Sequence, residues 1–247
     1  MAGHSKWANI KFRKGAQDKK RGKIFTKLIR EITTAARIGG GDAAANPRLR
    51  SAIIAARQGN MPKDTIDKAV KRGSGDLDGV DYKEVRFEGY GPGGVAVLVD
   101  TLTDNNNRTV ADVRHIFSKY GGNMGSAGCV AFMFDKKGQL IFENGDEDSL
   151  MEAALEAGAE DMIAEDGVFE VITSPEDFED VKNNLAEAGF DNPSSSKLAM
   201  IPQNTTTLDE KGAESFFKFL DMLEDNDDVQ NVHSNMDVPD EVMEKLG

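Results

Sequence analysis

The sequence predicts an α+β fold with a basic helical segment towards its N-terminal end. Three observations carry that prediction. Beyond residue 75, strand-like and helix-like stretches alternate irregularly and include hairpins, unlike the regular strand–helix repeat of a doubly wound parallel sheet. The first 75 residues instead hold three amphipathic helical patterns. Charge divides at the same place: residues 1–75 hold 18 Lys and Arg against 5 Asp and Glu, net +13, and the rest holds 12 against 38, net −26.

Taken in order, "KIFTKLIREITTAARI" at Lys23–Ile38 reads as an amphipathic helix. At about 100° per residue, Ile24, Leu28, Ile32 and Ala35 share one face, with Phe25 and Ile29 beside them. Lys23, Lys27, Arg30 and Arg37 fall opposite, within an arc of about 80°. "GGGD" ends this helix. A second is opened by Asn46 as cap with Pro47 in its first turn, and Gly59 stops it. A third runs from Pro62 to Gly73. "GSGDLDG" at Gly73–Gly79 reads as a linker.

Beyond it, "EVRFEGY" and "GVAVLVDTLT" read as strands joined by the turn "GPGG". "NRTVADVRHIFSKYGG" reads as a helix with Thr109 and Asp112 at capping-box spacing. "GCVAFMFD" and "GQLIFEN" read as two further strands. The helix "DEDSLMEAALEAGA" gathers its acids in the first turn, where the helix dipole favours them. The strand "DGVFEVIT", the helix "SPEDFEDVKNNLAEAG", the strand-like "SSKLAMIPQN", a helix over Ala213–Asp225 and a last strand, "DVQNVHSN", complete the pattern.

The basic end is the most specific functional signal. "GHSKWANIKFRKGAQDKKRGK" at Gly3–Lys23 sets Lys6, Lys11, Arg13, Lys14, Lys19, Lys20, Arg21 and Lys23 against a single acid, Asp18. Several cations near one another suit a polyanion, which gains from counterion release. Trp7 and Phe12, interleaved with the cations, could stack on unpaired bases. Too few apolar residues are present for the arm to build a core alone. The cationic character continues at Lys27, Arg30 and Arg37 and reappears at Arg48 and Arg50. These fourteen residues, Lys6, Trp7, Lys11, Arg13, Lys14, Lys19, Lys20, Arg21, Lys23, Lys27, Arg30, Arg37, Arg48 and Arg50, form the candidate nucleic-acid-binding set. With a Debye length of about 8 Å at physiological salt, a polyanion docked there would hardly sense the distant acids. Lipid binding fits less well, because the apolar face needed for insertion is taken up by the bundle core.

Other chemistries find little support. His4, His115 and His233 lie far apart without metal-ligand spacing, and Cys129 is the only cysteine, which excludes an internal disulfide. "DNNNRT" at Asp104–Thr109 fails as a calcium loop, since Arg108 stands at the third ligand position and no glycine follows. "GYGPGG" at Gly89–Gly94 lacks the Lys-Ser/Thr and the helix of a phosphate loop and reads as a hairpin turn. The glycines of "GGNMGSAG" at Gly121–Gly128 either admit a close neighbour or simply turn the chain. No two carboxylates stand out as an acid/base pair. The longest apolar runs are strand-sized, so no membrane span is expected. The expectation is a cytoplasmic, non-enzymatic protein without metal, cofactor or small-molecule substrate.

"MAGHSKWANIK", "DKKRGKIFTKLIREI", "GGGDAAANPRLR", "EGYGPGG" and "DNNNRTVADVRHIFSKYGGN" resemble the YebC family, in the same order and across essentially the whole chain. That family includes the YebC/PmpR-type bacterial regulators and the mitochondrial translational activator of cytochrome c oxidase. Phe12 departs from the family pattern, which has histidine there. The resemblance implies three domains: a basic helical domain over 1–75, a discontinuous α/β domain over 80–134 and 205–240, and a third, over 135–204, inserted in the second. It implies the role its bacterial members are commonly given, DNA-binding regulation of transcription. The alternative it implies is a ribosome-associated translation factor that binds ribosomal RNA or tRNA and relieves stalling at proline-rich sequences. The residues themselves carry no clear helix-turn-helix.

Overall fold

The computed structural model describes residues 21–75, 77, 80–165 and 167–246. They show an α+β fold of helices and antiparallel sheets, in two compact units. Of the described residues, the larger unit contains those up to Cys129 together with Ser215–Val232. The other contains Val130–Glu214 and the residues from His233 onwards.

In the larger unit, α1 (Arg21–Gly39), α2 (Pro47–Gln58) and α3 (Lys63–Ser74) form a bundle. Its core is Ile32, Ala35, Ala36, Leu49, Ala52, Ala56, Met61, Ile66 and Ala69, with Phe25, Leu28 and Ile29 packed against it. Small residues let the helices approach closely. A Cβ on Gly73 would stand 2.3 Å from the Thr33 carbonyl oxygen and 2.6 Å from the Ala36 Cβ, so glycine sets the α1–α3 separation. Asn46 joins two helix ends. Its Oδ1 accepts from the Leu49 N–H at 3.1 Å, capping α2, while its Nδ2 donates to the carbonyls of Ala35 at 2.8 Å and Gly40 at 2.9 Å.

The same unit holds a sheet in the order β3-β1-β2-β9, with β1 at Lys83–Tyr90, β2 at Ala96–Thr103, β3 at Asn123–Met124 and β9 at Val229–Ser234. The hairpin pairs Lys83 with Thr103 and Tyr90 with Ala96, closed by a 3-10 turn over Pro92–Gly94. Gly93 takes φ +74° there, a conformation that favours glycine. A Cβ on Gly89 would stand 2.4 Å from the Asn123 carbonyl oxygen. That glycine therefore admits a neighbouring strand.

Helix α4 (Asn106–Lys119) packs on β1 and β3. Its cap is Asn105, whose side chain accepts from the Arg108 N–H. Thr109, expected at the cap, is buried in the first turn and bonded elsewhere. Phe117 meets Phe219 of α7 (Glu210–Glu224) edge-to-face at 4.9 Å.

The other unit is built on a sheet in the order β5-β6-β4-β7: Asp161–Glu165, Val168–Thr173, Phe134–Phe142 and Ser195–Pro202, all pairs antiparallel. Helices α5 (Glu147–Ala157) and α6 (Phe178–Glu187) bury Leu150, Ala154, Val181 and Leu185 against Leu140, Phe142, Phe169 and Val171. The two strands expected over Gly128–Asn144 are one, β4, preceded by a 3-10 turn at Ala131–Met133. Lys136–Lys137, left between the two expected strands, are part of β4, and Lys137 pairs with Glu160 at 2.6 Å. Gly138 is needed in mid-strand because a Cβ there would stand 2.1 Å from Thr173 Oγ1 and 2.5 Å from the Phe178 ring. A short parallel pair, β8 (Thr206–Thr207) with β10 (Met236–Asp237), and α8 (Asp240–Leu246) complete the unit. Among the described residues no helix is long and apolar enough to cross a membrane.

Candidate nucleic-acid interface

The candidate site starts from the excess of cations in residues 1–75. Lys6, Trp7, Lys11, Arg13, Lys14, Lys19 and Lys20 lie outside the described residues, and Arg21 opens α1. The remaining candidates fall on α1 and α2, and each has an acceptor within its own unit.

Lys23 and Lys27 reach the C-terminal end of α7. Lys23 Nζ donates to the Asp225 carbonyl and Lys27 Nζ to the Glu224 carbonyl, each at 2.8 Å. Those groups belong to the set that a helix C-terminus leaves unsatisfied, and α7 has no basic residue in its own last turn. The α1 lysines therefore cap α7, with the Asp225 carboxylate a further 3.6 Å contact for Lys23. Burial pulls the Lys27 ammonium below its ordinary pKa, against the attraction of Glu224, Asp225 and Asp227.

Arg30 donates to the Leu102 carbonyl at 2.9 Å and to the Asp228 carboxylate, and its guanidinium lies 5.2 Å from the Tyr82 ring centroid. Asp228 also accepts from Thr109 Oγ1 at 2.7 Å and Arg108 at 2.8 Å. Burial alone would raise its carboxyl pKa. The Thr109 hydroxyl and the guanidinium groups of Arg108 and Arg30 outweigh that and hold it below the usual range. The same contact to Asp228 raises the Arg108 pKa.

Arg37 pairs with Asp81 at the exposed end of α1. Arg48 grips Glu31 with two hydrogen bonds, at 2.6 and 3.0 Å, and reaches Glu84 at 2.6 Å. Its pKa is raised, first of all by the hydrogen bond to Glu31. Arg50 donates to the carbonyls of Ala43 and Ala44 at 3.1 Å.

The stripe read from α1 therefore exists as a row of side chains, and the structure brings Lys23, Lys27 and Arg30 together on the segment Glu224–Asp228. Sequence reasoning did not anticipate Asp228 as the acceptor of Arg30. Asp228 reads as the first residue of the strand "DVQNVHSN", and nothing local says that this acid is buried, only 3% exposed. Sequence reasoning also passed over three cations of α3, Lys68, Lys71 and Arg72, which are exposed and have no acceptor among the described residues.

Residues 5–76 match the family described as the TACO1/YebC protein N-terminal domain, and residues 82–236 match the TACO1/YebC second and third domain. A protein of Magnetococcus marinus named "Probable transcriptional regulatory protein" is 68% identical, over all of this chain and 99% of its own length. One of the same name from Desulforapulum autotrophicum is 58% identical over the whole of both chains. The crystal structure of a conserved hypothetical protein from Aquifex aeolicus matches with a TM-score of 0.81 at 44% identity, covering 90% of this chain and 92% of that one.

Proposed function

The chain belongs to the TACO1/YebC family, and on that premise we propose that it is a non-enzymatic, cytoplasmic regulator of transcription that binds duplex DNA. The observation that carries this reading is the charge division: net +13 in residues 1–75 and net −26 in the remainder. A segment so basic in so acidic a chain suits a polyanionic partner, and counterion release from phosphates supplies the affinity. The transcriptional role is supported by the names of relatives that align from end to end.

In this reading Lys6, Lys11, Arg13, Lys14, Lys19 and Lys20 contact phosphates, and Lys23, Lys27 and Arg30 of α1 hold the domain together. The test is binding to promoter DNA and to purified ribosomes, each titrated with salt. The reading expects a preferred DNA site, bound at physiological salt at least about a thousandfold more tightly than random sequence. Weak, sequence-blind DNA binding beside tight ribosome binding would overturn it.

A further inference from the structure

The middle and last turn of α3 offer a set of cations unlike those of α1. Lys68, Lys71 and Arg72 are exposed, and no described residue accepts from any of them. At about 100° per residue they share an arc of about 100°, spread over roughly 6 Å of helix. The opposite side of α3 is fixed. Ile66, Ala69 and Gly73 are buried, the Thr33 hydroxyl donates to the Ala69 carbonyl at 3.3 Å, and Gly73 has no room for a side chain. The centre of that buried side lies roughly 140° around the helix from the cations, so bundle packing itself aims them outward. The acids of α3, Asp64 and Asp67, lie one helical turn before Lys68 and Lys71.

We propose that this face of α3 is a docking surface for the phosphate backbone of duplex DNA. The inference rests on the nucleic-acid reading above and adds residues to it. Charge complementarity identifies the occupant. The cations of α1 and α2 described above already have acceptors, whereas these three can reach phosphate oxygens without breaking a bond to any described residue. A duplex fits better than a single strand, because α3 carries no aromatic side chain on which an unpaired base could stack. Lys71 and Arg72 also lie in the last helical turn, where they offset the negative end of the helix dipole. Lys68, a turn earlier, has no such role.

The test uses the full chain and a fluorescently labelled, mixed-sequence DNA duplex, with affinity measured across a salt series. The triple variant K68E/K71E/R72E should bind at least about tenfold more weakly at low salt, and its salt slope should be shallower by about 2 to 3. Its thermal midpoint should fall by only a few degrees, since none of the three is packed and only the dipole interaction of Lys71 and Arg72 is lost. K68Q/K71Q/R72Q gives the same readout should charge reversal disturb folding. K136E/K211E/K245E, the same change of net charge in the other unit, should leave the slope unchanged. Wild-type slope in both α3 variants, or an equal loss in the K136E/K211E/K245E control, overturns the α3 surface and leaves DNA binding standing. A wild-type protein that fails to bind the duplex at all overturns the DNA reading itself.

Discussion

Arg30 on α1 and Asp228 at the entry to β9 form an ion pair whose side chains are only 13% and 4% exposed. It ties the helical bundle to the β1–β2–β9 sheet within one unit. The pair is not isolated: Thr109 and Arg108 of α4 share the carboxylate, and Asp228 also accepts, through its carbonyl, from the Leu102 N–H at 2.8 Å. Removing one member of such a group leaves a buried charge without its counterpart, which costs more than the pair is worth. Asp228→Asn should therefore destabilise the protein by about 3 kcal/mol, read as a lower urea midpoint with an unchanged slope. A shift of less than about 1 kcal/mol, the worth of an exposed pair, would show that Asp228 is not the anchor.

The same carboxylate predicts an acid dependence. Its folded pKa lies below its unfolded value of about 3.9. The folded state thus binds the proton less readily, and Asp228 stabilises the fold above the unfolded pKa. That contribution is lost as pH falls through the folded value. Urea midpoints of wild type and Asp228→Asn should differ by a constant amount above about pH 5 and converge below about pH 4. A gap that persists undiminished at the acid end would contradict this assignment.

Much of the fold is legible from the sequence because its elements are locally specified. The heptad-like spacing of Ile24, Leu28, Ile32 and Ala35 gives α1, and Asn46-Pro47 gives the start of α2, as the structure shows. The alternation around "GPGG" gives the β1–β2 hairpin in place. What the sequence hides is set by partners distant along the chain. Lys136–Lys137 fall between two expected strands, and the continuous β4 rests on Glu160, which pairs with Lys137, and on Phe178, which packs against Gly138. "DMIAE" is too short and acidic to announce β5, which is held by its register with β6. The same holds for the candidate site. Helical spacing reveals that Lys23, Lys27 and Arg30 share a face, but not that carbonyls and a carboxylate some 200 positions away receive them.

Asn46 offers a graded test of how α1 and α2 are joined. Its Oδ1 caps α2 and its Nδ2 secures the end of α1, with the residue 5% exposed. Asn46→Asp keeps the acceptor and loses the donors, so it should cost about 1 to 2 kcal/mol. Asn46→Ala loses both and should cost about 2 to 3 kcal/mol. Chemical denaturation of the two variants checks the order. Equal losses would mean that the cap alone matters.

Gly73→Ala separates packing from helix propensity. In an open helix, alanine for glycine stabilises by about 1 kcal/mol. Here the new methyl group would meet the Thr33 carbonyl and Ala36 inside normal contact distance. Overpacking of this kind costs about 1 to 3 kcal/mol, so the net effect should be destabilising, with a lower thermal midpoint. A stabilised variant would show that α1 and α3 can move apart freely.

The role of the α1 stripe is open to a direct comparison between stability and binding. Lys23 and Lys27 donate to the last carbonyls of α7, one of them half exposed and the other largely buried. Hydrogen bonds from charged donors contribute about 1.5 to 3 kcal/mol when well enclosed, and less at the more exposed Lys23. Lys23→Gln with Lys27→Gln should thus lower the urea midpoint, equivalent to about 2 kcal/mol. Two lysines on phosphates would take about 1.8 off the salt slope of DNA binding when neutralised. Two lysines on carbonyls would take off nothing. The capping geometry predicts the second result: a less stable protein with the wild-type slope. A slope reduced by two contacts, with stability unchanged, would mean that the lysines leave α7 for the nucleic acid.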